Sequence, residues 1–198
     1  MIFPVFGNAV EYSTGVDKDY PRKLLWGDTH LHSNQSADAY TIGNSNLTPS
    51  DAFRFARGEE VISEKGVRAK LRVPLDFLMV SDHATFLGMF KRIENRDPEI
   101  LKTPLGKRGR KYMDENDPNL FTEFVDGLDG RLEDTFSKED YIPIWKEITE
   151  NVDKFNQPGI FTALIGYEWT PAPTGDNLHR VVVFKDDAKL AQKIIPFS

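Results

Sequence analysis

The sequence predicts an α/β fold assembled from βα units, and three observations predict it. Short apolar runs of strand length recur along the chain, each bordered by ionisable residues. Amphipathic segments of helical period lie between them. All four histidines, His30, His32, His83 and His179, fall at the ends of those runs and none on a helical stripe. Alternating strands and helices give parallel sheets, closed or doubly wound, and such sheets carry their chemistry at the C-terminal ends of the strands.

The elements follow in order. Residues 1–21 read as an N-terminal extension, and residues 22–198 as one domain. Leu24-Leu25-Trp26 runs into Gly27-Asp28-Thr29-His30-Leu31-His32 as the first buried strand. Thr48-Pro49-Ser50-Asp51 opens a helix, with an N-cap hydroxyl, proline at the first position and an acid at the third. Ala52, Phe53 and Ala56 follow at helical spacing, and Gly58 suits the stop. Leu75 to Val80 is the second strand, ending in Ser81-Asp82-His83. Residues 84–136 are polar and carry scattered glycines at 106, 109, 127 and 130, so they are expected to form an irregular insertion, perched over the site as a lid. A second helix starts near Ser137. Its stripe is Tyr141, Ile144, Trp145, Ile148, Val152 and Phe155, and Pro158-Gly159 ends it. Ile160 to Ile165 is a third strand leading to Gly166-Tyr167-Glu168-Trp169, and His179 opens a fourth, Val181 to Phe184.

Composition limits the function classes. With 198 residues the chain can bury an ordinary core, and 12% aromatics is too rich for a disordered chain. Lys and Arg number 25 against 31 Asp and Glu, a net charge of −6, which disfavours a nucleic-acid partner. There is no cysteine, hence no disulfide, thiolate nucleophile or cysteine zinc site. No apolar run approaches the ~20 residues of a bilayer span. The first eight residues lack a basic segment followed by a long apolar one, so no signal peptide is read there, and cytoplasm and periplasm both fit.

The histidines carry the chemistry. Residues two apart on a strand face the same way, so His30 and His32 project to one side, and Asp28 shares their parity. Four histidines in a chain this long give a His-x-His pair by chance only about 0.06 times. Imidazole and carboxylate suit Zn, Mn or Fe better than Ca. His83, Glu168 and His179 end or begin other runs, and a parallel sheet gathers such ends, as a multinuclear metal site requires. Asp28 and Asp82 are candidates for orienting a ligand imidazole from behind. In the insertion, Lys107, Arg108, Arg110 and Lys111 form a basic patch expected either to be solvated or to clamp an anionic substrate.

The order Asp28-Thr29-His30-Leu31-His32-Ser33, Asp38, Ser81-Asp82-His83, Gly166-Tyr167-Glu168 and His179 resembles the PHP (polymerase and histidinol phosphatase) superfamily. The wider blocks WGDTHLHSNQSADAY, TPSDAFRFARGE and PLDFLMVSDHATFLG resemble a bacterial branch of it designated a domain of unknown function. The match spans roughly residues 22 to 90 and 160 to 184. The resemblance implies a distorted (βα)7 barrel of PHP type with two or three divalent ions (Zn, Mn or Fe) at the strand ends. By motif, His30 and His32 are the first ligand pair, Asp38 fills a His/Asp place, His83 is the second-motif ligand, Glu168 the bridging carboxylate and His179 the next histidine. The implied reaction is phosphoester hydrolysis of a small phosphorylated substrate by a metal-bridging hydroxide. Amide or ester hydrolysis of amidohydrolase type and a non-catalytic binding module are the alternatives. The family pattern continues with a further histidine and a late Asp-x-His, which this chain lacks, so the chain is expected to be the N-terminal part of the barrel, with a cut edge open to self-association.

Overall fold

The computed structural model describes residues 23–172, 176 and 178–197; the expected extension at 1–21 lies outside them. Its central strand is β4 (Phe77–Val80), whose Leu78, Met79 and Val80 are buried. β1 (Gly27–Leu31) and β5 (Thr162–Leu164) flank it, both parallel to it. A strand enclosed in this way needs no polar face, which is why it reads as an unbroken apolar run. The one acid in that run, Asp76, sits just before the strand. Its carboxylate accepts the Trp26 N–H (2.8 Å) and its carbonyl accepts the Thr162 N–H (2.9 Å), so it fastens both flanking strands at the start of the sheet.

Along β1, Gly27 faces Phe77 and Asp28 faces Leu78, but Leu31 faces Val80. Three steps on β1 thus match two on β4. This bulge breaks the two-residue parity between Asp28 and the histidines.

β6 (Gly166–Trp169) continues the course of β5 beyond Ile165. Glu168 forms a parallel bridge with His83 in the register already set by β4 and β5. The Glu168 N–H donates to the Asp82 carbonyl (3.0 Å), and the Ala84 N–H donates to the Glu168 carbonyl (2.9 Å). The approach is close: a Cβ on Gly166 would lie 2.1 Å from Met79 Sδ and 2.6 Å from the Val182 carbonyl oxygen. β7 (Arg180–Val183) pairs antiparallel with β6, where alternation predicts a parallel strand. Residues 170–179 are too few for a parallel crossover, which takes a dozen or more residues and usually a helix.

Both expected helices form. α2 (Pro49–Ala56) carries a reciprocal capping box between Thr48 and Asp51. α6 (Lys138–Phe155) carries one between Ser137 and Asp140, and it buries Ile144, Trp145, Ile148 and Val152. Trp145 stands edge-on to Tyr167 of β6 (6.0 Å between centroids), and its indole N–H donates to the Ala191 carbonyl of α7 (Ala188–Ala191; 3.1 Å). Phe53 of α2 stacks on Phe155 of α6 (5.2 Å).

Three expectations are corrected. Residues 84–136 are helical: α3 (Met89–Glu94), a 3-10 turn at Ile100–Lys102, α4 (Pro104–Glu115) and α5 (Asn119–Leu128). Phe86, Phe90, Ile93, Ile100, Leu105 and Phe124 of this segment belong to the common core. Its glycines mislead as loop signals because Gly106 sits on a buried helical face, where a Cβ would meet the Ile100 carbonyl oxygen at 2.0 Å. Second, the run Leu24-Leu25-Trp26 is exposed, and the strand starts only at Gly27. Third, the described strands form three separate small sheets, β1-β4-β5, the pair β2 (Val61–Ile62) and β3 (Arg68–Ala69), and β6-β7, so the fold is mixed α/β and the described residues close no barrel. The hairpin of β2 and β3, and the five-residue α1 (Ala37–Thr41), carry no clear sequence signal. No described helix is long and apolar enough to cross a membrane.

Gly166→Ala is expected to lower stability by about 1–3 kcal/mol, because the added methyl forces β6 away from Met79 and Val182. Urea denaturation measures this as a lower midpoint with an unchanged slope.

Candidate metal centre

The ends of β1, β4 and β6 bring the chemistry together. β1 delivers His30 and, one residue past its end, His32. The loop after β4 delivers Asp82 and His83, β6 delivers Glu168, and the chain entering β7 delivers His179. Asp38 comes from α1. Its Oδ1 accepts from the Ser36 hydroxyl (2.6 Å) and from the Ala39 N–H (2.6 Å), which fixes the carboxylate against the start of the helix.

Glu168 is the hub, and its side chain is fully buried. Oε1 faces His30 Nε2 (3.2 Å) and His179 Nδ1. Oε2 faces His32 Nε2 (2.8 Å) and His83 Nδ1 (3.4 Å). One carboxylate therefore divides four imidazoles into two pairs. Asp38 joins two of the same rings from the other side, with Oδ1 3.1 Å from His32 Nδ1 and Oδ2 3.4 Å from His83 Nε2. The result is three overlapping ligand groups: His30-His32-Glu168, His32-Asp38-His83 and His83-Glu168-His179. The ligand atoms in each lie within 4.8 Å of one another. The six residues singled out from the sequence thus meet at one place. His83 is further held by the Thr170 hydroxyl (Nδ1 to Oγ1 2.7 Å) and flanked by Phe124 (5.4 Å between rings). Exposure runs from buried Glu168 and His83 to His179 and His30, whose side chains are 42% and 52% accessible, so the centre opens on that side.

Charge accounts for this arrangement. Burial disfavours a charged His32, but Asp38 and Glu168 outweigh it and push its pKa up to about 10. Burial would raise Glu168, yet His32, His83 and His179 hold it down at about 2. Burial opposes ionisation of Asp38 too, and His32, His83 and Ser36 carry it well below the usual carboxylate range. Two carboxylates are thus ionised, with a proton on His32 as partial countercharge. The donor set fits divalent metal: imidazoles and carboxylates in overlapping groups, with Glu168 Oε2 buried and lacking a well-aligned hydrogen bond although His32 Nε2 is 2.8 Å away.

The remaining expected residues lie elsewhere. Asp28 Oδ1 accepts the His30 backbone N–H (2.8 Å) rather than an imidazole, because the β1 bulge takes it off the ligand face. Asp82 also touches no imidazole. It is buried, burial lifts its carboxyl to about 6, and it accepts from the Ser33 N–H (2.5 Å) and hydroxyl (2.8 Å). It therefore positions the turn that follows His32. Arg108 is forked between Glu123 and Asp134, and Arg110 is bound by Asp114 and the Ile93 and Glu94 carbonyls, so neither guanidinium is left to clamp an anion. Lys107 and Lys111 are exposed on α4. Sequence reasoning missed Ser33, Ser36 and Thr170. The two serines stand inside the His-rich block, where a hydroxyl close to a ligand is the available signal.

The family described as Protein of unknown function (DUF3604) matches residues 19–198. No curated protein and no solved structure matches the chain.

Asp82→Ala is expected to weaken metal binding about 10–100-fold while leaving all six ligands in place, as loss of a ligand-positioning contact does; metal titration measures it. Metal must also displace the His32 proton. Affinity for Zn or Mn should then rise about tenfold per pH unit between pH 6.5 and 8.5, with close to one proton released, read by calorimetry in buffers of different ionisation enthalpy. In the metal-free protein the sign is opposite. The His32 pKa is raised on folding, so its contribution to stability is full below pH 6.5 and is lost as pH climbs toward 10.

Proposed function

The chain belongs to the DUF3604 family of proteins of unknown function, and on that premise we propose that it is a metal-dependent phosphoesterase related to the PHP superfamily. The observation that carries this reading is that Glu168 is shared by two ligand groups, His30-His32-Glu168 and His83-Glu168-His179, while Asp38 joins His32 to His83 in a third. A carboxylate common to two ligand groups is what neighbouring ions need as a bridge. The chain order of the ligands is also that of the superfamily, and a distorted PHP-type barrel is the architecture that reading carries.

Divalent ions held there would supply Lewis acidity toward a phosphoryl group and toward an attacking water. His30, His32, His83 and His179, as neutral imidazoles, together with Glu168 and Asp38, would hold the ions. Ser36 and Thr170 fix the rings of His32 and His83, so the ligands are oriented before metal arrives. Burial of Glu168 and His83, with Phe124 against His83, keeps bulk water from the inner side of the centre. Exposed His30 and His179 leave the outer side open to substrate.

The test is hydrolysis of bis(p-nitrophenyl) phosphate and of p-nitroacetanilide by protein loaded with Mn or Zn. The phosphodiester should be cleaved and the anilide not. Activity should vanish with chelator and fall by at least about 100-fold in Glu168→Gln. Cleavage of the anilide alone would assign amidohydrolase chemistry, and failure to take up stoichiometric metal would assign a binding module.

A further inference from the structure

A cavity adjoins the centre at His32. It has a volume of about 260 Å³ and lies between the loop joining α1 to α2, the first turns of α2, and the β2-β3 hairpin. Leu31, Leu47, Ala52, Phe55, Val61 and Ala69 line it, together with His32. It therefore shares a residue, His32, with the metal centre.

Its polar lining is already committed. The Thr48 hydroxyl and the Asp51 carboxylate satisfy each other in the α2 capping box, and Asp51 also holds Arg54. Asn44 Oδ1 accepts the Leu47 N–H (2.9 Å). The Ser33 hydroxyl donates to Asp82 (2.8 Å) and accepts the Gln35 N–H (3.1 Å). A guest entering here meets hydrocarbon and spent hydrogen-bonding groups, so a polar guest would lose its water without replacement. An apolar guest would gain by the area it removes from water. A cavity of about 150 Å³ already accepts benzene, so this one has room for a ring or a short branched chain.

We infer that this cavity is the specificity pocket of the centre: it takes the apolar part of the substrate, an aryl or short branched-alkyl group carried on the phosphate, while His32 marks the junction with the reacting end. This rests on the phosphoesterase reading. It makes Ala52, Val61 and Ala69 specificity-determining residues, and it gives the β2-β3 hairpin a role as the pocket's outer wall.

Two measurements test it. The first needs no metal: fluorobenzene is titrated into the metal-free protein and followed by ¹⁹F relaxation. Binding should be saturable and should weaken at least about tenfold in Ala69→Trp, a change at an exposed strand position that fills the pocket from its wall. Ala52→Leu provides a second plug from the α2 side. The second measurement compares phenylphosphonate with methylphosphonate on Mn-loaded protein by calorimetry. The phenyl compound should bind at least about tenfold tighter, and either plug should cut that advantage to about twofold. Absence of fluorobenzene binding, or binding indifferent to both plugs, overturns the pocket. Fluorobenzene binding with equal affinity for the two phosphonates overturns its link to the centre. If fluorobenzene binds but neither phosphonate does, the phosphoesterase reading itself falls, and the substrate assignment of the pocket falls with it.

Discussion

The burial of one carboxylate organises this molecule. Glu168 has no exposed side-chain surface, and an isolated carboxylate in that position would not remain ionised. It stays ionised because four imidazoles surround it, two per oxygen, and at least one of them carries a proton. Those imidazoles come from three separate stretches of chain, and Glu168 itself from a fourth. The electrostatic requirement of one buried acid is therefore a tertiary constraint on β1, β4, β6 and the entry to β7 together.

The backbone meets that constraint through register. β5 fixes its pairing on β4 through Thr162 to Leu164, and the same register carried past Ile165 brings Glu168 opposite His83. Gly166 permits the necessary approach to Met79. On the other flank, Asp82 accepts both the N–H and the hydroxyl of Ser33 and so ties the end of β4 to the turn beyond His32. Trp145 then presses on Tyr167, the residue before Glu168, from the covering helix. Packing and site are coupled at adjacent positions: Tyr167 belongs to the core and Glu168 to the centre.

The same coupling explains why the cavity at His32 is apolar. The loop and the start of α2 use their polar groups to cap the helix and close the turn, through Thr48, Asp51 and Asn44. Local capping thus consumes the hydrogen-bonding capacity beside His32.

The sequence alone picked out the six residues that the structure gathers into three groups able to hold a metal ion, because imidazoles at strand ends are rare and their positions do not depend on how the strands pair. It also determined α2 and α6, since capping boxes and apolar stripes are local signals. It predicted a parallel core, and β1, β4 and β5 form one. Tertiary structure decided the rest. The bulge in β1 removed Asp28 from the ligand face, an effect of pairing with β4 that no spacing on β1 reveals. The short span after Trp169 made β7 antiparallel. The helices in 84–136 were hidden because the glycine that reads as a loop signal is there for close packing against Ile100. The roles of Asp82, Arg108 and Arg110 were also settled by contact, since whether an ionisable side chain serves a ligand, a turn or a salt bridge depends on neighbours distant in sequence.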